Sequence, residues 1–174
     1  MKILVIGKNG QLGKSINKVI TNTKNDNEYI FAGREEFDLS KEIDINSYFN
    51  NHNFDAIINC AGYTNVDKAE EDIVFANRIN NLAVAQLSSI AKKQKSKLIH
   101  ISTDYVFDGK SNKPYKENDP VNPINAYGKT KLAGEQAVLK EMSNNAIIIR
   151  TSWLYSEFGN NFVDNIIKLG KKRE

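Results

Sequence analysis

Lys2-Ile3-Leu4-Val5-Ile6 runs without a break into Gly7-Lys8-Asn9-Gly10-Gln11-Leu12-Gly13, and the reading of this stretch decides the fold. Its first five residues are an apolar run of strand length. The next seven hold three glycines, and from Leu12 onward Leu12, Ile16, Val19 and Ile20 recur at helical spacing. A tight turn between a buried strand and an amphipathic helix is a place where the pyrophosphate of a dinucleotide is held. Glycines let it approach the backbone, and the free N–H groups and positive end of the helix face its charge. The spacing G-x-x-G-x-x-G is one residue wider than the dinucleotide fingerprint G-x-G-x-x-G. Gly7, Gly10, Gln11, Leu12 and Gly13 are the candidate cofactor contacts of this loop.

Four further apolar runs follow, at Tyr29 to Gly33, Ala56 to Asn59, Lys97 to Ser102 and Ala146 to Arg150. They are nearly continuous in hydrophobicity rather than alternating, as expected of parallel strands covered on both faces. Helical patterns lie between them. Phe75, Ile79, Leu82, Ala83 and Ile90 share one face, and Asn125 to Met142 forms another, with Pro123 and Asn125 as start signals and Leu132, Leu139 and Met142 as buried candidates. A short strand near Phe37 is a further candidate. Strand and helix alternate, which predicts an α/β fold: a Rossmann-type doubly wound parallel sheet. The last helical spacing, at Phe162, Ile166, Ile167 and Leu169, is followed by Lys171-Lys172-Arg173-Glu174 and no further strand. Residues 1–174 are therefore expected to be one dinucleotide-binding domain, with a smaller C-terminal substrate domain absent from this chain.

The composition bounds the functional classes. With 174 residues, 40% hydrophobic and 26% charged, the chain suits one globular domain. A formal net charge of +3 is small, and the one basic run, Lys168 to Arg173, reads as a solvated helix end, so no nucleic-acid partner is expected. No apolar run reaches the roughly 18 residues of a membrane span, and Met1-Lys2 leads straight into a strand rather than a secretory leader. A cytoplasmic protein with no membrane partner is the expectation. One cysteine, Cys60, leaves no intramolecular disulfide and reads as a small buried residue at a strand end. Two histidines, His52 and His100, give no zinc cluster, so no metal site is placed.

The chemistry concentrates after the fourth apolar run. Ser102-Thr103-Asp104 ends that run, and Tyr127 and Lys131 lie at i and i+4 on the helix that follows, so both project from one face. A hydroxyl, a tyrosine and a lysine are what carbonyl reduction needs beside a hydride donor. A free tyrosine is a poor proton donor at pH 7. A lysine ammonium at about 4 Å is worth about 4 kcal/mol at an effective dielectric of 20, or about three pKa units, and would bring it into range. Thr103 is placed to hydrogen-bond the substrate carbonyl. After the second run, Gly33 precedes Arg34, where an acidic residue would favour NAD. Arginine can fork a 2′-phosphate, which tilts the cofactor toward NADPH with NADH as the alternative, while Glu35 and Glu36 beside it would oppose a phosphate. Asp38 and Leu39 are candidates for the adenine end, and Cys60, Ala61 and Gly62 for a small-residue floor at the carboxyl edge of the sheet.

GKNGQLGKS from Gly7, NCAGYTNVDKAE from Asn59, STDYVFDG from Ser102, INAYGKTKLAGE from Ile124 and IIIRTSWLYS ending at Ser156 make the chain resemble the extended short-chain dehydrogenase/reductases. Within them it is similar to the branch that reduces a 4-keto sugar nucleotide. The resemblance covers essentially the whole chain, and YTNVDKAE and STDYVFDG are its more specific runs. It implies reduction of the 4-keto group of dTDP-6-deoxy-L-lyxo-4-hexulose (dTDP-4-dehydrorhamnose) to dTDP-L-rhamnose with NADPH or NADH. Thr103, Tyr127 and Lys131 would be the catalytic set, Lys131 also holding the nicotinamide ribose, and Thr64, Val66, Tyr105 and Trp153 would line the nucleotide-sugar site. Asn80 matches a helix asparagine of the family, with a capping or packing role equally open. The resemblance also allows a homodimer and magnesium at a subunit contact, although no carboxylate cluster places the ion. Relatives continue for roughly a hundred residues into the domain that grips the nucleotide, so this chain alone is expected to bind cofactor and to be inactive. Two alternatives stay open: a reductase or epimerase of another nucleotide sugar, and a non-catalytic regulatory subunit of the same fold.

Overall fold

Residues 1–159 and 161–171 are described by a computed structural model. Five parallel strands, β1 (Lys2–Ile6), β2 (Glu28–Ala32), β3 (Ala56–Asn59), β4 (Lys97–Thr103) and β5 (Ala146–Thr151), stand in the order β2-β1-β3-β4-β5. The register aligns Val5 with Ile58, Ile58 with Ile99 and Ile99 with Ile147. The sheet is the parallel, helix-linked architecture expected from the alternation of strand and helix. The chain leaves β1 to one side for β2 and crosses back to β3, so strand order reverses beside β1, where such sheets bind ligands at their carboxyl ends.

One face of the sheet carries the main core. Leu4, Ile57 and Leu98 meet α2 (Glu42–Asn50) through Ile45 and Phe49, α5 (Ala83–Gln94) through Val84 and Leu87, and α6 (Ala126–Met142) through Val138 and Met142. The other face is covered only in part among the described residues. Ile3 and Val5 are buried, but Ile147 and Ile149 of β5 are 58% and 43% exposed, against the expectation of strands covered on both faces. The apolar stripe of α1 (Gln11–Thr21) is likewise half buried at Leu12, Ile16 and Ile20 and exposed at Val19. The amphipathic helix α7 (Phe162–Lys171) has no buried residue, and Lys172 and Arg173 of the basic run lie outside the described residues.

Three elements depart from the sequence-based expectation. No strand forms near Phe37, which is instead buried among Tyr48, Phe49 and Phe54 with ring centroids 4.5 to 6.4 Å apart along the cluster. The segment from Phe75 to Ile90 is not one regular helix but α4 (Ile73–Asn77), a π-turn at Arg78–Leu82 and α5. Helix α3 (Val66–Glu71), with Ala69 as its one buried residue, and helix α2, with a weak apolar pattern, had no legible signal.

Helix α6 fully buries only one of its three expected core residues, Met142. Leu139 is exposed and Leu132 half buried, while Gly128, Thr130, Lys131, Gly134, Glu135 and Val138 are buried. Small residues let it come close: a Cβ on Gly134 would run into the Asn80 carbonyl of the π-turn. Overpacking of this kind, against backbone that cannot move aside as a side-chain tip can, typically costs about 1–3 kcal/mol. Gly134→Ala is therefore expected to lower stability by about that amount in urea unfolding, whereas Gly170→Ala, with open space around the same atom, stays within about 0.5 kcal/mol of the parent. Equal midpoints for the two variants would contradict this packing.

Candidate active site

The carboxyl ends of the strands open into a cleft of about 770 Å³, and its walls gather residues from distant parts of the chain. Gly7, Gly10, Gln11 and Leu12 come from the first turn and Arg34, Asp38 and Leu39 from the segment after β2. Cys60, Ala61, Gly62, Thr64 and Val66 follow β3; Thr103 and Tyr105 end β4; Tyr127 and Lys131 come from α6, and Trp153 follows β5. Gly13 is the one candidate not on the wall. A Cβ there would collide with the Gly7 carbonyl, so Gly13 acts by letting α1 seat against the turn.

Gly7 has φ +93°, a conformation L side chains rarely adopt, and its missing Cβ would stand 2.9 Å from the Ala61 nitrogen. The turn can therefore press against the chain leaving β3. Gly10 precedes α1 in extended conformation with no side-chain cap, leaving the helix N-terminus to its backbone N–H groups. Gln11 turns its amide toward the segment after β5: it donates to the Leu154 carbonyl at 2.8 Å and accepts from Ser156 Oγ at 3.2 Å. The first turn and the Trp153–Ser156 segment are thereby linked across the cleft.

Around Arg34 the charges sort themselves. Glu35 and Glu36 were expected to oppose a phosphate, but both meet Lys8, at 3.5 and 2.6 Å. Glu36 also accepts from the Gly33 N–H at 2.7 Å and Glu35 from Asn9 at 3.2 Å. Backbone hydrogen bonding and Lys8 hold these carboxyls below their usual range, although both sites are exposed and the energy involved is small. Arg34 remains exposed, and Asp38 is held low chiefly by the Ser40 N–H at 2.8 Å.

Thr103 sits where β4 passes into a 3₁₀ turn (Asp104–Val106). Its hydroxyl accepts from the Tyr105 N–H at 3.2 Å and donates to Asp104 Oδ1 at 3.1 Å, while the other Asp104 oxygen accepts from Ser152 at 2.6 Å. Asp104 and Ser152 thus orient the hydroxyl, a role not legible in the sequence. Helix α6 starts beside them, capped by Asn125, which accepts from the Gly128 N–H at 2.7 Å, and by Glu70 of α3, which accepts from the Ala126 N–H at 2.6 Å. These caps fix Tyr127 one residue into the helix, with its ring edge-on to Tyr105 at 5.7 Å.

Tyr127 and Lys131 share a face of α6, but their electrostatics differ from the simple pair. Burial raises the Tyr127 phenol above its ordinary value; the Thr103 side chain opposes this, and Asp104 adds to it. Lys131 instead donates to the Ile101 carbonyl at 2.6 Å, and burial lowers its ammonium to about 8, with Glu135 opposing. The expected lowering of Tyr127 by Lys131 is absent from this geometry, because desolvation of both groups outweighs a cation already committed to a carbonyl. Cys60, half buried after β3, is held as a thiol near 12. Trp153 is 73% exposed with φ +52°, a strained conformation for a bulky residue at the cleft mouth.

Glycine turn, hydroxyl, tyrosine and lysine on one cleft are a family arrangement, and the sequence model of the RmlD substrate binding domain matches residues 1–174. The chain belongs to that family. It is 38% identical to a dTDP-4-dehydrorhamnose reductase of Aggregatibacter actinomycetemcomitans over 99% of its own length and 58% of the relative's. With the Escherichia coli protein of that name it is also 38% identical, over 100% of this chain and 58% of the relative. A solved dTDP-4-dehydrorhamnose reductase from Clostridium acetobutylicum superposes with a TM-score of 0.92 at 43% identity, covering 99% of this chain and 60% of that one. One from Bacillus anthracis in complex with NADP gives 0.91 at 38% identity, covering 99% and 61%. The chain thus spans about three-fifths of the length of these RmlD-family relatives.

Lys131 carries a pH-dependent cost. Its native pKa of about 8 lies below the unfolded value of 10.5, so between those values the unfolded chain binds a proton the native state does not, and stability rises with pH across that window. Below pH 8 both states hold the proton and the cost stays constant. Lys131→Met is therefore expected to be more stable than the parent at pH 7, by on the order of 1–3 kcal/mol, with the gap narrowing toward pH 10. Urea unfolding at both pH values measures it, and a Met variant less stable at pH 7 would refute it.

Proposed function

We propose that this chain is the cofactor-binding part, carrying the catalytic residues, of an NADPH-dependent reductase that converts the 4-keto group of dTDP-4-dehydrorhamnose to the hydroxyl of dTDP-L-rhamnose. The observation that carries the reading is the single cleft onto which the phosphate-binding type of turn, the exposed Arg34 and the Thr103–Tyr127–Lys131 set all open. The names of the similar proteins, and NADP in one of their structures, support it. NADH is the second cofactor candidate, and the substrate is a nucleotide sugar.

The turn fits a dinucleotide on its own terms. Gly7 brings backbone against Ala61 with no side chain between, and the uncapped start of α1 offers N–H groups to a diphosphate. The dinucleotide, when bound, supplies hydride to the carbonyl carbon. Arg34, left open by the turning of Glu35 and Glu36 onto Lys8, holds the 2′-phosphate, and Asp38 and Leu39 flank the adenine. Ala61, Gly62 and the half-buried Cys60 form the floor. Thr64, Val66, Tyr105 and Trp153 contact the substrate.

In the reduction the Thr103 hydroxyl donates a hydrogen bond to the substrate carbonyl, giving up its bond to Asp104. Tyr127 transfers its phenolic proton to the carbonyl oxygen as negative charge develops there. A phenol whose pKa is raised by burial is fully protonated at neutral pH and so is always in the donor state. Lys131, cationic below about pH 8, holds the ribose hydroxyls. The domain that would grip the nucleotide of the substrate, the homodimer and a cytoplasmic location belong to the same proposal. Among the described residues no helix is long and apolar enough to cross a membrane, and no group of three or more His, Cys, Asp or Glu could hold a metal ion.

In the full-length protein, Tyr127→Phe should lower kcat by on the order of 10²–10⁴ with dinucleotide affinity nearly unchanged. Steady-state reduction of the dTDP-4-keto sugar beside a binding titration measures both; near-parental kcat would overturn the assignment of Tyr127 as proton donor, and a parent that binds dinucleotide without turnover would favour a non-catalytic subunit. A second titration, on this chain, compares NADPH with NADH. Arg34→Ala should shrink the preference for NADPH by roughly tenfold or more, as loss of a charge-assisted pair worth about 1.5–3 kcal/mol requires. An unchanged ratio would move the preference to another residue.

A further inference from the structure

Glu135 lies one helical turn beyond Lys131 and two beyond Tyr127 on α6, facing the sheet, with 2% of its side chain exposed. All of its bonds lead to the two strands that end in the site. Oε1 accepts from Ser102 Oγ of β4 at 2.5 Å and from Arg150 Nε of β5 at 3.0 Å, and Oε2 accepts from Arg150 Nη2 at 2.7 Å. Arg150 continues outward: its Nη1 donates to the Glu117 carbonyl at 3.0 Å, and its guanidinium lies 5.0 Å from the centre of the Phe107 ring, which stacks on Tyr115 at 4.3 Å. We propose that Glu135 is a positioning residue of this site: it fixes α6 against the Thr103 end of β4 and supplies the buried negative charge that keeps Lys131 a cation.

The contacts carry the first half, and the i, i+4 spacing of two buried groups on one helix supports the second. Ser102 adjoins Thr103, and Arg150 adjoins Thr151 on the cleft wall, so one carboxylate sets the distance between the helix bearing Tyr127 and Lys131 and the strand ends opposite. A buried ion pair is weak support for stability, because desolvation offsets most of its attraction. This pair is accordingly better explained by what it holds in place. Glu135 and Tyr127 share the helix of Lys131, β4 contributes His100 and the turn after it Asp104, β5 contributes Arg150 on the far side of the carboxylate, and from the chain after β3 and the π-turn come Cys60, Gly62 and Asn80. His100 is buried, with Nδ1 bonded to Asn59 at 3.3 Å, and is held neutral down to about pH 3 by burial and by Lys131. Glu135, one turn away on the same helix, is the anion whose charge opposes the cost of burying the Lys131 ammonium, and without it the half-buried Arg150 guanidinium is left without its carboxylate.

The functional consequence rests on the reading of Lys131 as a ribose-binding and catalytic group, so the test separates the two. Competitive acetylation of the ligand-free chain across pH 6 to 11, read by peptide mass spectrometry, gives the half-point of Lys131 on the cleft wall. In Glu135→Gln that half-point is expected to fall by about one pH unit or more, and in Arg150→Gln, which leaves the carboxylate to Lys131, to rise. A purely structural Glu135 would lower the melting temperature and move neither half-point, and that result overturns the proposal. Should Glu135→Gln not fold, Arg150→Gln decides by the same criterion. The second arm titrates NADPH over the same range, where the loss of affinity with rising pH should begin at least one unit lower in Glu135→Gln than in the parent, with Glu135→Asp intermediate. A parent that binds no dinucleotide overturns the reductase reading, while the acetylation half-points still decide the role of Glu135.

Discussion

The structure depends on one close approach, that of the Gly7 turn to the chain leaving β3. Two strand ends can form one cleft only if their backbones nearly touch, and a Cβ at Gly7 would stand 2.9 Å from the Ala61 nitrogen. The positive φ of Gly7 and the seating of α1 over Gly13 follow from the same requirement. With that contact made, β1 and β3 become neighbours, strand order reverses beside them, and the helix N-terminus points into the opening. On the opposite wall α6 meets its neighbours by the same device, with Gly128 against Tyr105 of the 3₁₀ turn and Gly134 against Asn80 of the π-turn. Absence of side chains at these four glycines gives the cleft its width and brings Tyr127 to Thr103.

Close approach forces polar groups into the space between helix and sheet, because the residues left to fill it are those that chemistry needs. Ser102, Thr103, Thr130, Lys131 and Glu135 are all buried there, with Asn80 alongside. Each finds a partner: Asn80 bonds the Tyr63 backbone in both directions and donates to Thr130, and Lys131 donates to Ile101. Among the described residues His100 Nε2 is the one buried side-chain polar atom with no partner. A seam so polar adds less to stability than the Leu4–Ile57–Leu98 core does, and the apolar face against α2 and α5 must carry the fold.

What the sequence made legible follows from this division. Strands β1 and β3 were readable to the residue, β4 and β5 to within one residue at the carboxyl end and β2 to within one residue at each end, since parallel strands of a central sheet read as nearly continuous apolar runs. The face of α6 was misread because periodicity looks for apolar residues, and Leu139 is in solvent while Glu135 is inside. Helix α2 escaped for a related reason: Ile45 and Phe49 are its only buried residues, and its anchor is the aromatic cluster with Phe37 and Phe54, a tertiary contact no local window contains. The candidates that line the cleft came from three signals: residue type at strand ends for the glycine turn, Arg34 and Thr103, helix spacing for Tyr127 and Lys131, and the family resemblance alone for Thr64, Val66, Tyr105 and Trp153. Asp104, Ser152, Glu135 and Arg150 had none of these signals, although Glu135 stands at i+4 and i+8 from the two candidate residues of its helix, and that spacing was the available signal.

The two ends of the cleft treat charge in opposite ways, and burial is the reason. At the Arg34 end the groups are exposed, so Lys8 can gather both Glu35 and Glu36 at little gain or cost, and the effect is to clear anions away from one guanidinium. At the Lys131 end Lys131 and Glu135 are both desolvated, so the cation is favoured by an anion built in one helical turn away, and that anion is itself satisfied by Ser102 and the half-buried Arg150. The arginine then reaches the 107–117 loop through the Glu117 carbonyl and the Phe107 ring. A chain of contacts thus runs from that loop through Arg150 and Glu135 to the helix that bears Lys131.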